Sequence, residues 1–365
     1  MSPTALNRVA DAMGLVATLV VSLGVGTLLV VATSAEPGVA LRAFFAGPFT
    51  NAFFFGNMLQ AAAPLIITGL GAVLAFRAGA VNLGVEGQVY AGGLAGGAAL
   101  LLAGVHSGWF LPVAVLVGAL AGGALAALAG WLRVRFGASE AISSFLIGAA
   151  VIQLFDLALR RYLVDPAAAF PATRAIEPAL RLARLAPPSN LNLGFFVGVA
   201  LAALVFLLLF RTRFGYGLRL TGSNPRFARY SGLRTRRLVV WAMLLSGAFA
   251  GAAAVLEVAG VHGRLITGFS NDLGWNGITV ALIARLHPLG VIPAALLYGY
   301  LQVDASSASL LSDVSPRVAT VVQSVIFYLI TAQALYVWFR RRLVARGAVP
   351  GERSIAQRPG TGSGA

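Results

Sequence analysis

The stretch MLQAAAPLIITGLGAVLAF, Met58–Phe76, contains no charged residue in 19 positions. As an α-helix rising ~1.5 Å per residue, it has the length needed to cross a hydrocarbon core ~30 Å thick. A helix satisfies its own backbone hydrogen bonds, as lipid requires, and the alternating pattern of a membrane β-barrel is absent from the sequence. This stretch therefore predicts a transmembrane helix.

Nine further apolar runs extend the pattern on both sides of this stretch. They are Gly14–Ala32, Leu83–Ala103, Phe110–Leu132, Glu140–Leu159, Leu191–Phe210, Leu238–Val258, Trp275–Ala284, Pro288–Val303 and Val318–Phe339. Hydrophobic residues make up 58% of the sequence and charged residues 11%, against roughly 25% charged in a soluble domain. The sequence predicts an all-α polytopic membrane protein of about ten transmembrane helices.

The first run, Gly14–Ala32, bears on the position of the N-terminus. Its ~19 apolar residues exceed the ~7–15 of a signal-peptide core, which favours a retained span, while a cleaved signal peptide stays open as the alternative. An even number of spans then places both termini in the cytoplasm. We expect a transmembrane domain over residues 1–345 and a disordered cytoplasmic tail over residues 346–365.

The distribution of arginine supports this orientation. The net charge is +15 and the chain has no lysine, so all 27 basic residues are arginine. On the predicted map 19 of these 27 lie on the cytoplasmic side, as the positive-inside rule requires. The map places loop 211–237 in the cytoplasm and loop 160–190, despite its five arginines, in the periplasm. The charge therefore indicates membrane topology, and no nucleic-acid partner is expected.

Several kinds of chemistry are excluded by missing residue types. A P-loop needs its lysine, so a process driven by ATP would require a separate ATPase. The chain has no cysteine, and His106, His262 and His287 are far apart. With no HExxH or paired-acid motif either, we expect no catalytic residue, no metal site and no cofactor, and an intramembrane enzyme has no support.

The predicted spans contain a weak inverted symmetry. Spans two to five begin outside and spans seven to ten begin inside, and each block carries an interrupted segment near its start. These interruptions are Ala78–Gly87 and Gly268–Gly277. Glycine-broken spans at matching positions of inverted repeats indicate a transport pathway. Elsewhere, glycines four residues apart, such as Gly247 and Gly251, predict close helix packing within one subunit, with subunit dimerisation as the alternative.

The first interruption holds three polar residues at the edge of a span: Asn82, Glu86 and Gln88. Polar groups at membrane depth tend to face a bundle interior or water, so this segment is a candidate pathway lining or gate. The alternative is an interfacial cap with Glu86 at a helix N-terminus. Asn276, beside the short eighth span, is a further pathway candidate, whereas the acids Asp156 and Glu257 are expected near span ends, satisfied by water or helix ends.

The loop 211–237 contains the most specific helix signals outside the spans. Asn224 is a good N-cap, Pro225 suits the first helical position and Gly232 suits the stop. Such a two-turn helix is marginal in water and needs a partner to pack on. Phe227 and Tyr230, three residues apart on one face, favour a docking helix over the alternative of a solvated basic loop.

At these two segments the chain resembles a known family. The sequence AGAVNLGVEGQ, Ala78–Gln88, is similar to the signature of permeases in nucleoside-type ATP-binding-cassette (ABC) importers, relatives of the ribose and branched-chain amino-acid permeases. The sequence GLRLTGSNPRFARYSG, Gly217–Gly232, resembles the cytoplasmic coupling segment of that family. The resemblance implies that the residues docking on the ATPase are Asn224, Pro225, Arg226, Phe227, Ala228, Arg229, Tyr230, Ser231 and Gly232.

The resemblance also implies the partners of a permease domain in the inner membrane. These are a cytoplasmic ATP-binding-cassette ATPase, a second permease subunit and an extracytoplasmic substrate-binding lipoprotein. The kink sequence favours nucleosides over the simple sugars of the same superfamily. An ion-coupled secondary transporter is the alternative from another class, and the docking helix argues against it because such a carrier has no ATPase to bind.

Overall fold

The computed structural model describes residues 20–21, 23–102, 104 and 107–311, with 317, 321, 324–325 and 328–329. Contacts divide the chain into one unit over Leu29–Ala319 and another formed by Met1–Leu28 with Thr320–Ala365. The fold below is that of the first unit, preceded by Leu23–Leu28, the start of helix α1. The tail 346–365 and most of the last expected span, Val318–Phe339, lie outside the described residues, as do residues 14–19 and 22 of the first expected span.

Helices account for nearly all regular structure between residues 23 and 311. They are α1 (Leu23–Thr33), α2 (Pro37–Ala46), α3 (Ala52–Arg77), α4 (Val85–Leu102), α5 (Phe110–Phe136), α6 (Glu140–Ala158), α7 (Leu193–Arg211), α8 (Arg213–Ser223), α9 (Pro225–Tyr230), α10 (Thr235–Glu257), α11 (Leu273–Ile283) and α12 (Val291–Leu311). The described part of the chain contains no β-strand, only two isolated bridges. The prediction of an all-α membrane protein is confirmed.

Five helices in the described region are long and apolar enough to cross a membrane: α3, α5, α6, α7 and α10. Helices α6 and α10 are each extended by a π-helical turn, Leu159–Leu163 and Val258–His262. Helices α11 and α12 together form a sixth candidate, bent by 118°. The expected span Leu83–Ala103 corresponds to α4, which is a helix but is not among these candidates, and its first turn carries the polar residues Glu86 and Gln88.

Local sequence explains where these helices begin and end. The side chains of Asn51 and Asn192 accept hydrogen bonds from the first turns of α3 and α7, each as an N-cap. Gly137 ends α5 with φ +72°, a left-handed conformation that costs glycine little. Helix α3 is central, because 83% of its apolar window is buried, whereas only 22% of the window of α6 is buried.

The glycine stripes are buried inside this chain. Gly251 of α10 lies against Gly92 of α4 and Gly118 of α5, and Gly247 lies against Gly122. A Cβ atom at any of these glycines would overlap the neighbouring backbone. Backbone contact of this kind is how helices pack in lipid. The prediction of close packing within one subunit is confirmed, and these faces are not available for dimerisation.

Loops that the sequence predicted on one side of the membrane contact one another. Gly79, after α3, packs on Gly222 of α8, and Arg77 donates to the carbonyl oxygen of Leu286 (2.9 Å). On the other side, the loop before α7 bonds to the segment after α10, with the amide of Thr173 donating to the carbonyl oxygen of Leu265 (2.9 Å). These contacts hold the loops together at each end of the bundle.

Candidate functional site

The two interrupted segments of the sequence meet in the structure. Glu86, in the first turn of α4, accepts hydrogen bonds from the hydroxyl of Ser270 and from the amide of Gly274 (2.7 Å). Gly274 lies in the first turn of α11 and packs directly on the backbone of Glu86. Glu86 is 7% exposed, and its carboxylate sits at two helix N-termini, where a negative charge is favoured. Glu86 therefore joins the two segments.

Asn82 and Gln88 form a closed amide pair beside Glu86. The Asn82 Nδ2 group donates to Gln88 Oε1 (2.8 Å) and to Ser246 Oγ on α10 (3.0 Å). In return Asn82 Oδ1 accepts from Gln88 Nε2 (2.9 Å) and from the amide of Gly84 (3.1 Å). Asn82 is fully buried and Gln88 is 2% exposed, so the pair fixes the loop before α4 to α10.

Helix α11 is flanked at both ends by residues in left-handed backbone conformations, which non-glycine residues seldom adopt. Asn271 and Asp272 precede it with φ values of 45° and 61°, and Arg285 and Leu286 follow it with φ values of 52° and 57°. Left-handed conformations at consecutive non-glycine residues are uncommon and concentrate at functional sites. These two reversals make α11 a short helix enclosed by the bundle.

A cavity of about 430 Å³ opens beside the start of α11. Its wall combines aromatic rings with amide, hydroxyl, imidazole and carboxylate groups. The polar residues are Asn57, Gln60, Asn190, Glu257, His262, Ser270, Asn271, Asn276 and Gln302, and the aromatic residues are Phe53, Phe54 and Phe269. The volume and the mixture of a few polar groups with aromatic surface are typical of a small-molecule site.

The four pathway candidates from the sequence occupy different places. Asn276 lines the cavity. Glu86 lies behind the cavity wall, where it holds Ser270, which is itself a lining residue. Asn82, in the loop before α4, and Gln88, in the first turn of α4, are not among the lining residues. Of the four candidates, one therefore lines the cavity, and the other three hold the loop before α4 and the start of α11 in place.

Sequence reasoning missed Glu257 and His262 as cavity residues. Glu257 was expected near a span end, satisfied by water or a helix end, and His262 was given no functional role. They come together because the π-helical turn Val258–His262 follows α10, and their side chains lie 3.9 Å apart. A π turn is frequent at functional sites, but its presence has no clear signal in the sequence.

The short helix predicted within Asn224–Gly232 is present as α9. The Asn224 side chain accepts a hydrogen bond from the amide of Phe227 (3.0 Å), and Gly232 ends the segment with φ +79°. Ala228 is buried against the bundle, whereas Phe227 and Tyr230 are 53% and 91% exposed. The segment is therefore helical, as the cap signals predicted. Helix α8, which precedes α9 and packs on it, was not predicted.

A polar junction lies where the end of α8 meets the loop before α4. Arg133, near the end of α5, donates to Glu140 at the start of α6 (2.7 Å) and to the carbonyl oxygen of Gly79 (2.9 Å). Glu140 also accepts from the amide of Val81 (3.1 Å). Gly79 in turn touches Gly222 at the end of α8. Helix α8 therefore lies against the loop that leads to Asn82 and Glu86.

Residues 54–331 match the family described as the permease component of branched-chain amino acid transport systems. The chain belongs to this permease family. The permease is 32% identical to a probable riboflavin import permease of Treponema pallidum, over 90% of this chain and 88% of that protein. It is 30% identical to a glucose ABC transporter permease of Haloferax volcanii, over 87% of each chain. It is 26% identical to a guanosine ABC transporter permease of Bacillus subtilis, over 90% of this chain and 96% of that protein.

Membership of this family confirms the resemblance seen at Ala78–Gln88 and Gly217–Gly232. The permease is an integral inner-membrane subunit of an ABC importer and is not an enzyme, since ATP is hydrolysed by a separate subunit. Such permeases work with ATPase and substrate-binding partners. The ion-coupled carrier is excluded as an alternative by the same membership.

Proposed function

We propose that this permease forms the translocation pathway for nucleosides. The observation that carries the proposal is the cavity beside α11, which pairs aromatic surface with hydrogen-bonding side chains. A nucleoside has a planar heterocyclic base that stacks on aromatic rings and a ribose that bonds to amide groups. Four residues illustrate the match: Phe53 and His262 present rings, and Asn57 and Asn276 present amides.

The relatives support this class of solute. A guanosine permease of Bacillus subtilis and a nucleoside permease of Lactococcus lactis align over 90% and 84% of this chain. Riboflavin, named for the Treponema pallidum relative, likewise joins a heterocyclic ring system to a polyhydroxylated chain. A simple sugar is the second candidate, because the Haloferax volcanii relative is named for glucose. A sugar would use the amides of the cavity and leave the aromatic rings without a role.

Uptake measurements test the proposal. The permease would be expressed with its ATPase, a second permease and a substrate-binding lipoprotein, in cells that lack nucleoside, riboflavin and glucose uptake. We expect ATP-dependent uptake of a labelled nucleoside, with unlabelled nucleosides competing and glucose not competing. Uptake of glucose alone would contradict the proposal and favour the sugar alternative.

We further propose that the permease has about ten transmembrane helices in two inverted repeats, with both termini in the cytoplasm. We also propose that it works in the complex that the family resemblance implies, in which Asn224–Gly232 docks on the ATPase. The second permease would lie beside this one in the membrane, and the lipoprotein would dock outside. The contacts among the loops of each side support this sidedness. The exposed aromatics of α9 support the docking site.

The orientation is testable by labelling single cysteines, since the chain has none of its own. Cysteine at Ser231, next to α9, is expected to react with a membrane-impermeant maleimide only after the cytoplasmic side is opened. Cysteine at Ala169, exposed in loop 160–190, is expected to react in intact cells. Reaction of the Ser231 position in intact cells would reverse the orientation.

A further inference from the structure

A second cavity, of about 260 Å³, lies where helices α8, α9 and α10 meet the end of α5. Its wall contains Arg133, Arg229 and Arg236, and none of its described lining residues is acidic. The other lining residues are small or apolar, apart from two threonines: Ala78, Gly79, Val134, Thr221, Gly222, Pro225, Thr235 and Val239. The three arginines therefore give this cavity a positive charge.

Two of these arginines have no acidic partner among the described residues. Arg133 is paired with Glu140 (2.7 Å), whereas neither Arg229 nor Arg236 forms an ion pair in the part of the chain that the structure describes. Both of the unpaired arginines are exposed. The segment 211–237 that contains them has eight arginines and no acid. Like charges that face one cavity repel one another, so the cavity favours an anion that the arginines can share.

The position of the cavity indicates where such an anion comes from. The positive-inside rule accounts for arginine on this side of the membrane, but it does not require three arginines to converge on one cavity. Arg229 belongs to α9 and adjoins Tyr230, which is 91% exposed. A protein that covers the exposed aromatic rings of α9 would therefore also cover the mouth of the cavity. Arginine binds a carboxylate through two parallel hydrogen bonds, which makes an acidic side chain of that protein a fitting occupant.

We propose that this cavity receives an acidic side chain of the ATPase, whose carboxylate is bound by Arg229 and Arg236 together. The inference rests on the proposed docking of Asn224–Gly232 on the ATPase and adds a charged contact beside the aromatic one. The same carboxylate would lie near Arg133, which donates to the carbonyl oxygen of Gly79 (2.9 Å) in the loop before α4. Movement of the ATPase would thereby reach that loop.

Binding of the purified ATPase tests the proposal. The permease and the second permease are placed together in nanodiscs of zwitterionic phosphatidylcholine, in buffer without phosphate, so that neither an anionic lipid nor free phosphate competes for the cavity. Arg229→Gln with Arg236→Gln is expected to weaken ATPase binding about tenfold or more, because it removes charge-assisted, bidentate hydrogen bonds. Added salt should lower the affinity of the wild type more steeply than that of the variant.

Arg234→Gln with Arg237→Gln is the matched control. These two arginines flank Arg236, are exposed and lie outside the cavity wall. The control removes the same net charge from the same segment. Isolated exposed charges contribute little to association, so this variant should weaken ATPase binding far less.

A cross-link identifies the group that occupies the cavity. The chain has no lysine, so Arg236→Lys introduces its only side-chain amine. A carbodiimide then joins that amine to a carboxylate in direct contact with it. We expect Arg236→Lys to become linked to an acidic residue of the ATPase, which mass spectrometry of the linked peptides locates. Arg237→Lys, one residue further along and outside the cavity wall, should form this link much less.

Three outcomes would overturn the proposal: unchanged ATPase affinity in Arg229→Gln with Arg236→Gln, an equal loss in the control, or a link to the ATPase no stronger at Arg236→Lys than at Arg237→Lys. An affinity loss that appears only in nanodiscs containing anionic phosphatidylglycerol would also overturn it and assign the cavity to a lipid phosphate. Truncation of Phe227 and Tyr230 to alanine tests the docking itself. If that truncation releases the ATPase and the arginine variant does not, docking stands and this inference alone fails.

Discussion

The double substitution Phe227→Ala with Tyr230→Ala is expected to release the ATPase from the permease during purification, or to uncouple ATP hydrolysis from uptake. Both aromatic rings stand on α9, more than half exposed, while Ala228 between them is buried against the bundle. Truncating an aromatic anchor that a partner buries commonly costs ~2 kcal/mol or more, about a thirtyfold loss of affinity. Measurement of ATPase retained on the affinity-purified permease reports this loss directly.

The loop 160–190 supplies a matched control for this experiment. Phe170 is 53% exposed, as Phe227 is, and Tyr162 is 78% exposed, comparable with Tyr230. Phe170→Ala with Tyr162→Ala therefore removes similar exposed apolar surface on the opposite side of the bundle. It should leave the ATPase bound. If the Phe227 and Tyr230 double variant also retains its ATPase and transports at the normal rate, α9 is not the coupling helix.

The helical framework could be predicted from the sequence because each membrane-crossing helix needs only a local signal, an uninterrupted apolar run. The run Met58–Phe76 became α3, Ala52–Arg77, with its ends displaced by a few residues. Helix α9 was predictable for the same reason, since Asn224 and Gly232 are local cap signals. Helix α8 was missed because three glycines within it lower helix propensity, although Thr212, whose hydroxyl accepts from the amide of Gly215 (3.0 Å), was an available N-cap signal.

The site could be predicted only in part, because its contacts join distant parts of the chain. Glu86 and Gly274 are 188 positions apart, and no local pattern in either segment specifies that they touch. Polarity at membrane depth was enough to single out Glu86 and Asn276. It could not separate a residue that lines the cavity from one that holds its wall. Glu257 and His262 were missed because their shared face depends on a π turn.

Glu86→Gln is expected to lower uptake about tenfold or more while the permease remains in the membrane and bound to its ATPase. Hydrogen bonds to a charged acceptor contribute ~1.5–3 kcal/mol and neutral ones ~0.5–1.5 kcal/mol, so two weakened bonds cost ~1.5 kcal/mol or more. Two helix N-termini, those of α4 and α11, also lose their negative charge. A free-energy change of ~1.4 kcal/mol changes an equilibrium constant tenfold. The state in which residue 86 holds the two interrupted segments together therefore becomes about tenfold less populated.

Two companion variants decide whether Glu86 acts through this contact. Ser270→Ala removes one of its two donors and is expected to reduce uptake in the same direction but by a smaller factor. Glu36→Gln neutralises an exposed acid that precedes α2 without capping it, and it should leave uptake unchanged. A simple helix cap contributes only ~0.3–1 kcal/mol, so normal uptake by Glu86→Gln would assign Glu86 that smaller role. Uptake that falls in Glu86→Gln and in Ser270→Ala, at constant permease abundance, would instead identify the contact between the two broken segments as part of the gate.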